Sequence, residues 1–171
     1  WPQFLGRVKA DKSHGYRDRL ELLSIIRKLF VKTPRFANMT TEERKAIAGM
    51  DSKIAKDAKW FGSMMGVGYF QQAVNSNNVH LSDALDCIPM TGPVTKAHFD
   101  AFIEEYRKAF PNGRDGIGTS SRLLALKRPD YFVCVDSKNR DRLTEEFKIR
   151  KTGMDYERYW EEIVERLIDT P

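Results

Sequence analysis

The sequence predicts an all-α fold, a compact multi-helix domain. Three observations carry that expectation. Apolar residues recur at three- and four-residue spacing along most of the chain, helix-start signals precede those stretches, and Gly or Pro punctuates them. Only Tyr131 to Val135 reads as strand-like. It has no partner segment of similar character, so we expect a buried extended linker there.

From Tyr16 to Phe30, the residues Leu20, Leu23, Ile26, Leu29 and Phe30 fall on one helical face. Thr40-Thr41-Glu42-Glu43 is a capping box, opening a helix that runs through Ile47 and stops near Gly49. A further helix is expected from about Asp51 to Met64, broken by Gly66-Val67-Gly68 and restarted over Tyr69 to Val74. Ser82 should cap a helix from Asp83 to Ile88. Pro89 to Pro93 should turn, and Thr95 to Phe110 is strongly amphipathic through Phe99, Phe102, Ile103, Tyr106 and Phe110. A loop over Pro111 to Asp115 leads to a helix over Thr119 to Leu126. After a turn at Pro129-Asp130, helices are expected over Ser137 to Phe147 and from Asp155. The last has a buried stripe of Tyr156, Tyr159, Trp160, Ile163, Val164 and Leu167. No linker or repeat divides the chain, so one domain over 1–171 is expected, with possible lobes at 1–90 and 91–171. Because it opens on Trp1 rather than Met, we expect a domain excised from a larger protein, whose other domains would be partners.

Composition bounds the function. A hydrophobic fraction of 41%, with ten Phe and three Trp, suffices for a real core. The net charge of +5 is unevenly spread. Residues 1–56 carry 13 basic against 6 acidic side chains and 122–153 carry 9 against 5, whereas 154–171 carry 2 against 6. Two basic segments favour an anionic partner, with the acidic end facing away from it. Cys87 and Cys134 sit in apolar surroundings, with no Cys or His neighbour at metal-ligand spacing. We therefore expect no metal or other cofactor, and a reducing intracellular location, the bacterial cytoplasm or nucleoid. No apolar run approaches the roughly 18 residues a membrane helix needs, and no signal peptide is recognised, so no membrane partner is expected.

The segment Gly116-Ile117-Gly118-Thr119-Ser120 carries the most chemical information. Two glycines one residue apart allow a sharp turn with positive φ and no Cβ in the way. The amides at the start of the next helix, helped by small hydroxyls, can then hold a phosphate oxygen against the helix dipole. With the helix before it, this makes a helix-hairpin-helix turn that suits double-stranded DNA. Dinucleotide sites also use G-x-G, but they need a βαβ context that is absent here. Arg114 and Arg122 bracket the turn, and Lys127, Arg128, Lys138, Arg140 and Arg142 extend the basic surface. Arg7, Lys9, Lys12, Arg17 and Arg19 form a second candidate strip. Gly66-Val67-Gly68 is a second candidate turn, though Met64, Met65, Tyr69 and Phe70 read as core. The alternative throughout is a tight interhelical turn with no ligand.

Downstream come Val133-Cys134-Val135-Asp136-Ser137, then Arg140, Arg142-Leu143 and an acidic amphipathic helix. On these residues the chain, over roughly 113–167, resembles the helix-hairpin-helix DNA glycosylase superfamily, the endonuclease III and MutY relatives. The resemblance places Gly116 and Gly118 on the hairpin glycines, Asp136 on the catalytic aspartate and Arg142-Leu143 on the Arg-Leu pair. It implies a hydrolase of N-glycosidic bonds in DNA. Ser120 stands where lyase members carry their Schiff-base lysine, so lyase chemistry is not expected. The family's Leu-Pro before the first glycine and its four-cysteine iron–sulfur loop are missing.

Asp136 has two compatible roles: stabilising an oxocarbenium beside a flipped nucleotide, or capping the following helix together with Ser137. His14, His80 and His98 are scattered, and the adjacent pairs Glu104-Glu105, Glu145-Glu146 and Glu161-Glu162 diverge on a helix, so both read as surface. Trp60, Phe61, Tyr69 and Phe70 are core or a base-replacing wedge. Three functions follow: a DNA-binding module of a DNA-processing or defence protein, a monofunctional base-excision glycosylase using Asp136, or a helical protein-interaction domain.

Overall fold

The computed structural model of the chain describes residues 6, 9–10, 15–137 and 139–169. Among these residues every regular element is helical. Helix α1, Tyr16–Lys32, buries Leu22, Ile26, Leu29 and Phe30. Leu20 is half exposed, so the i, i+4, i+7 set from Leu22 forms the core stripe instead of the one drawn through Leu20. A 3₁₀ turn at Phe36–Asn38 leads to α2, Thr41–Ala48. The capping box is formed at both ends: Thr40 Oγ1 accepts from the Glu43 amide at 3.3 Å, and Glu43 Oε2 accepts from the Thr40 amide at 2.7 Å. Gly49 ends α2 at φ 74°, where a Cβ would meet the Gly62 carbonyl oxygen at 2.6 Å. Only glycine fits both demands.

The expected helix from Asp51 to Met64 does not form; these residues run as turns and irregular chain. The carbonyls a helix would pair internally are taken from outside. Arg122 donates to the carbonyls of Ala58 at 2.6 Å, Gly62 at 2.8 Å and Trp60. Phe61 and Gly62 have φ of 66° and 101°, incompatible with a right-handed helix. Helix α3, Gly68–Asn75, follows, then α4, Val79–Asp86, capped by the side chain of Asn78. Ser82 is therefore not a cap. It lies buried within α4, and its Oγ accepts from the Ala37 amide at 3.0 Å.

Helix α5, Lys96–Lys108, starts at a second capping box between Thr95 and His98 and packs along α4. Helix α6, Ile117–Lys127, is the central strut. It touches α1, α2 and α4, and every residue from Thr119 to Lys127 is buried. After the extended linker, as expected, comes α7, Arg140–Glu146. The chain closes with α8, Tyr156–Tyr159, a π-helical turn at Trp160–Val164 and α9, Glu165–Ile168. Five members of the expected stripe, Tyr156 through Val164, are buried, and Leu167 packs against the core half-buried. Phe99 of α5 meets Trp160, Tyr159 and Phe132 at ring-centroid distances of 5.1, 6.0 and 6.1 Å. This aromatic cluster fixes the linker between α5 and the last helices.

Candidate functional site

The α5–α6 hairpin presents its tip to solvent: Gly116 is exposed, and Ile117 and Gly118 are half-buried. The turn is not made by positive φ. Gly116 has φ −59° and ψ 148°, and Gly118 is helical. What glycine contributes at 116 is bareness, since a Cβ there would meet nothing within 4 Å. Thr119 and Ser120 do not point hydroxyls at a phosphate. Both are buried and donate back to the Gly116 carbonyl at 3.0 and 3.3 Å, while Thr119 accepts from Tyr106 Oη at 2.7 Å.

The bracketing arginines divide. Arg114 is exposed, with its guanidinium 5.7 Å from the Tyr69 ring at the start of α3, so it lies between the two glycine turns. Arg122 is fully buried, and burial pushes its guanidinium down to about 10. Besides the three wall carbonyls, it donates to Ile47 O at 3.0 Å and Ala46 O at 3.3 Å at the end of α2. No phosphate can reach it. Lys127 and Arg128 are likewise buried, bonded to the carbonyl of Leu85 and to those of Pro89 and Gly92. Arg140 is half-buried and Arg142 exposed, whereas Lys138, Arg7, Lys12 and His14 lie outside the described residues.

Asp136 opens onto a cavity of about 1010 Å³. Arg19 and Leu23 of α1 line it, with the wall Trp60-Phe61-Gly62, the linker from Phe132 and Arg142 of α7. Asp136 also caps the turn before α7: its Oδ1 accepts from the Asn139 amide at 2.9 Å, and the Asp136 amide donates to Asn139 Oδ1 at 2.8 Å. The bond expected of a capping Asp136 is formed, but on the turn ahead of α7, which itself starts at Arg140 rather than directly after Ser137. Its Oδ2 lies 3.1 Å from where a Cβ of residue 62 would stand, as does Cys134 Sγ. Burial pushes the Cys134 thiol up to about 12, so it stays protonated and is no nucleophile.

Arg19, read from sequence as part of a basic strip, belongs to this site. Its guanidinium lies 4.6 Å from the Trp60 ring centroid and 5.4 Å from that of Phe61. Burial lowers its pKa and the facing Asp136 raises it. Trp60 Nε1 is enclosed without a hydrogen-bond acceptor among the described residues. Of the four suspected wedge or core aromatics, Phe70 is core, Tyr69 packs on Phe110 at 5.6 Å, and Trp60 and Phe61 form the cavity wall. The tip and the cavity share a support: Ser121 of α6 accepts from the Val135 amide at 3.0 Å, one residue before Asp136. His80, Asp83 and Glu105 bring ligand atoms within 4.8 Å of one another, but Asp83 pairs with Arg35 and Glu105 with Lys108, and none lines the cavity. No known protein family, no curated protein and no solved structure matches this chain.

Proposed function

We propose that the chain binds double-stranded DNA at the exposed tip of the α5–α6 hairpin and receives one everted nucleotide in the Asp136 cavity, as a module of a DNA-processing or defence protein. One observation carries this reading: a carboxylate, an aromatic wall and basic side chains meet in a cavity with ample room for a nucleotide, and its linker is bonded to the hairpin helix. Exposed Arg114 and Arg142 are the phosphate contacts this arrangement supplies. Fluorescence anisotropy with duplex DNA across a salt series tests it. Arg114→Ala should weaken binding and lower the salt slope by about one. No binding at low salt would sink the proposal and leave the protein-interaction reading.

A second reading, hydrolysis of the N-glycosidic bond, is favoured by the fixed orientation of Asp136 on the cavity wall. The C1′–N bond breaks with its electron pair leaving on the base, the carboxylate stabilises the cationic sugar, and water adds at C1′ with loss of its proton to solvent. Asp136→Asn keeps the cap, since asparagine caps as well as aspartate. Base release abolished in that folded variant supports hydrolysis; unchanged release removes Asp136 from it. Ser120, buried and bonded within its own helix, offers no amine for a lyase step.

A further inference from the structure

Helices α4 and α5 pack together, and their shared edge gathers His80, Asp83 and Glu105, whose ligand atoms all lie within 4.8 Å of one another. His80 and Asp83 stand three residues apart on one face of α4, and Glu105 comes from α5. The neighbouring ion pairs do not use up these groups. Arg35 meets Asp83 through Oδ1 at 2.7 Å and Lys108 meets Glu105 through Oε1, while Glu105 Oε2 lies 3.6 Å from His80 Nδ1. That separation is too long for a hydrogen bond. His80 Nδ1 is nonetheless enclosed, with no hydrogen-bond partner among the described residues. An enclosed imidazole nitrogen and a carboxylate, both electron-pair donors, are reconciled by a cation shared between them.

We propose that His80, Asp83 and Glu105 bind one divalent transition-metal ion of the zinc class, with water completing its coordination, and that the ion ties α4 to the first helix of the hairpin. Two ligand atoms on tetrahedral zinc, at bond lengths of about 2.0–2.2 Å, stand about 3.3–3.6 Å apart. The His80–Glu105 distance already falls there, and rotation of the half-exposed Asp83 side chain closes the third position. Charge favours a dication too. Asp83, Asp86, Glu104 and Glu105 share Arg35 and Lys108, so within these ion pairs carboxylates outnumber cations four to two. One imidazole with two carboxylates suits zinc or cobalt, whereas magnesium and calcium prefer oxygen alone. Arg35 and Lys108 then orient the two carboxylates through the oxygens that they already hold. The proposal stands apart from the DNA reading, because none of the three residues lines the Asp136 cavity.

Calorimetric titration with zinc chloride of the chain, freed of any affinity tag and dialysed against chelator, tests this. One equivalent should bind, and zinc at about a hundredfold over its Kd should raise Tm by about 5 °C or more. Magnesium at the same concentration should raise it by less than about 1 °C. Cobalt(II) chloride should give the visible bands of a four-coordinate ion with nitrogen and oxygen ligands. His80→Asn, and independently Glu105→Gln, should weaken zinc binding at least about tenfold. Both sites are half-buried, so Tm of the metal-free variants should stay within about 2 °C of wild type. Cys87 supplies the control, since it lies one turn beyond Asp83 with its thiol bonded to the Asp83 carbonyl at 3.3 Å. Cys87→Ser should change zinc affinity by less than about twofold. No zinc binding, wild-type affinity in both ligand variants, or sulfur-to-cobalt charge-transfer absorption lost in Cys87→Ser would each overturn the assignment.

Discussion

Arg122 shows how far one side chain can decide a structure. A guanidinium has five N–H donors and no acceptor, so burying it is tolerable only if carbonyls surround it. Five do, from the end of α2 and from the wall over 58–62, which also meet where the Met64 amide donates to the Gly49 carbonyl at 3.0 Å. Arg122→Ala should lower stability by about 3–5 kcal/mol in urea unfolding, through a cavity and five carbonyls that lose this donor. Arg122→Lys should recover little of that, because one ammonium cannot reach both segments. A loss under about 1 kcal/mol would show that water replaces the guanidinium. Arg122 was misread from sequence for the same physical reason it matters: a basic residue is assigned to the surface unless its partners are visible, and backbone carbonyls leave no trace in sequence. The cap bond of Asp136 is legible because it reaches only three residues along the chain, to the Asn139 amide.

Among the elements, legibility followed the range of the forces involved. The capping box at Thr40 acts over three residues, and the stripes of α5 and the last helices recur within a few turns, so local pattern finds them, whereas the box at Thr95 is closed by His98 and lacks the Glu or Gln that marks one in sequence. The wall over 58–62 fails that test, because a side chain 60 residues or more away sets it. The glycines of the two segments should respond in opposite ways. Gly62→Ala would force a Cβ into φ 101° with two contacts of 3.1 Å, which should cost about 1–3 kcal/mol and distort the cavity. Gly116→Ala, at φ −59° with open space, should change stability by less than about 0.5 kcal/mol. Thermal unfolding of the two variants side by side checks the contrast. Should Gly116→Ala prove the costlier, the tip is under a strain its backbone angles do not contain.

Across the whole molecule the buried cations of α6 tie stability to pH. Burial pushes Lys127 down to about 8, with Asp86 facing it and its ammonium bonded to the Leu85 carbonyl. In the unfolded chain the same group holds its proton to about 10.4. Between those values the unfolded state binds more protons than the folded one, so stability rises with pH through that window and is lowest below it. The full effect is on the order of 3 kcal/mol for so enclosed a group. Urea midpoints at about pH 7 and about pH 9.5 should therefore increase for the wild type, and the increase should vanish in Lys127→Met. A rise of equal size in that variant would assign the effect to other groups.

The hold of Arg122 on residues 46–62 also bears on the order in which the molecule is made. Its five acceptors precede it by 60 to 76 residues. The aromatic wall is therefore synthesised long before the residue that shapes it, and a nascent chain ending short of Arg122 carries Trp60 and Phe61 with no cavity for them to line. The cavity in this fold is a late, long-range product of assembly.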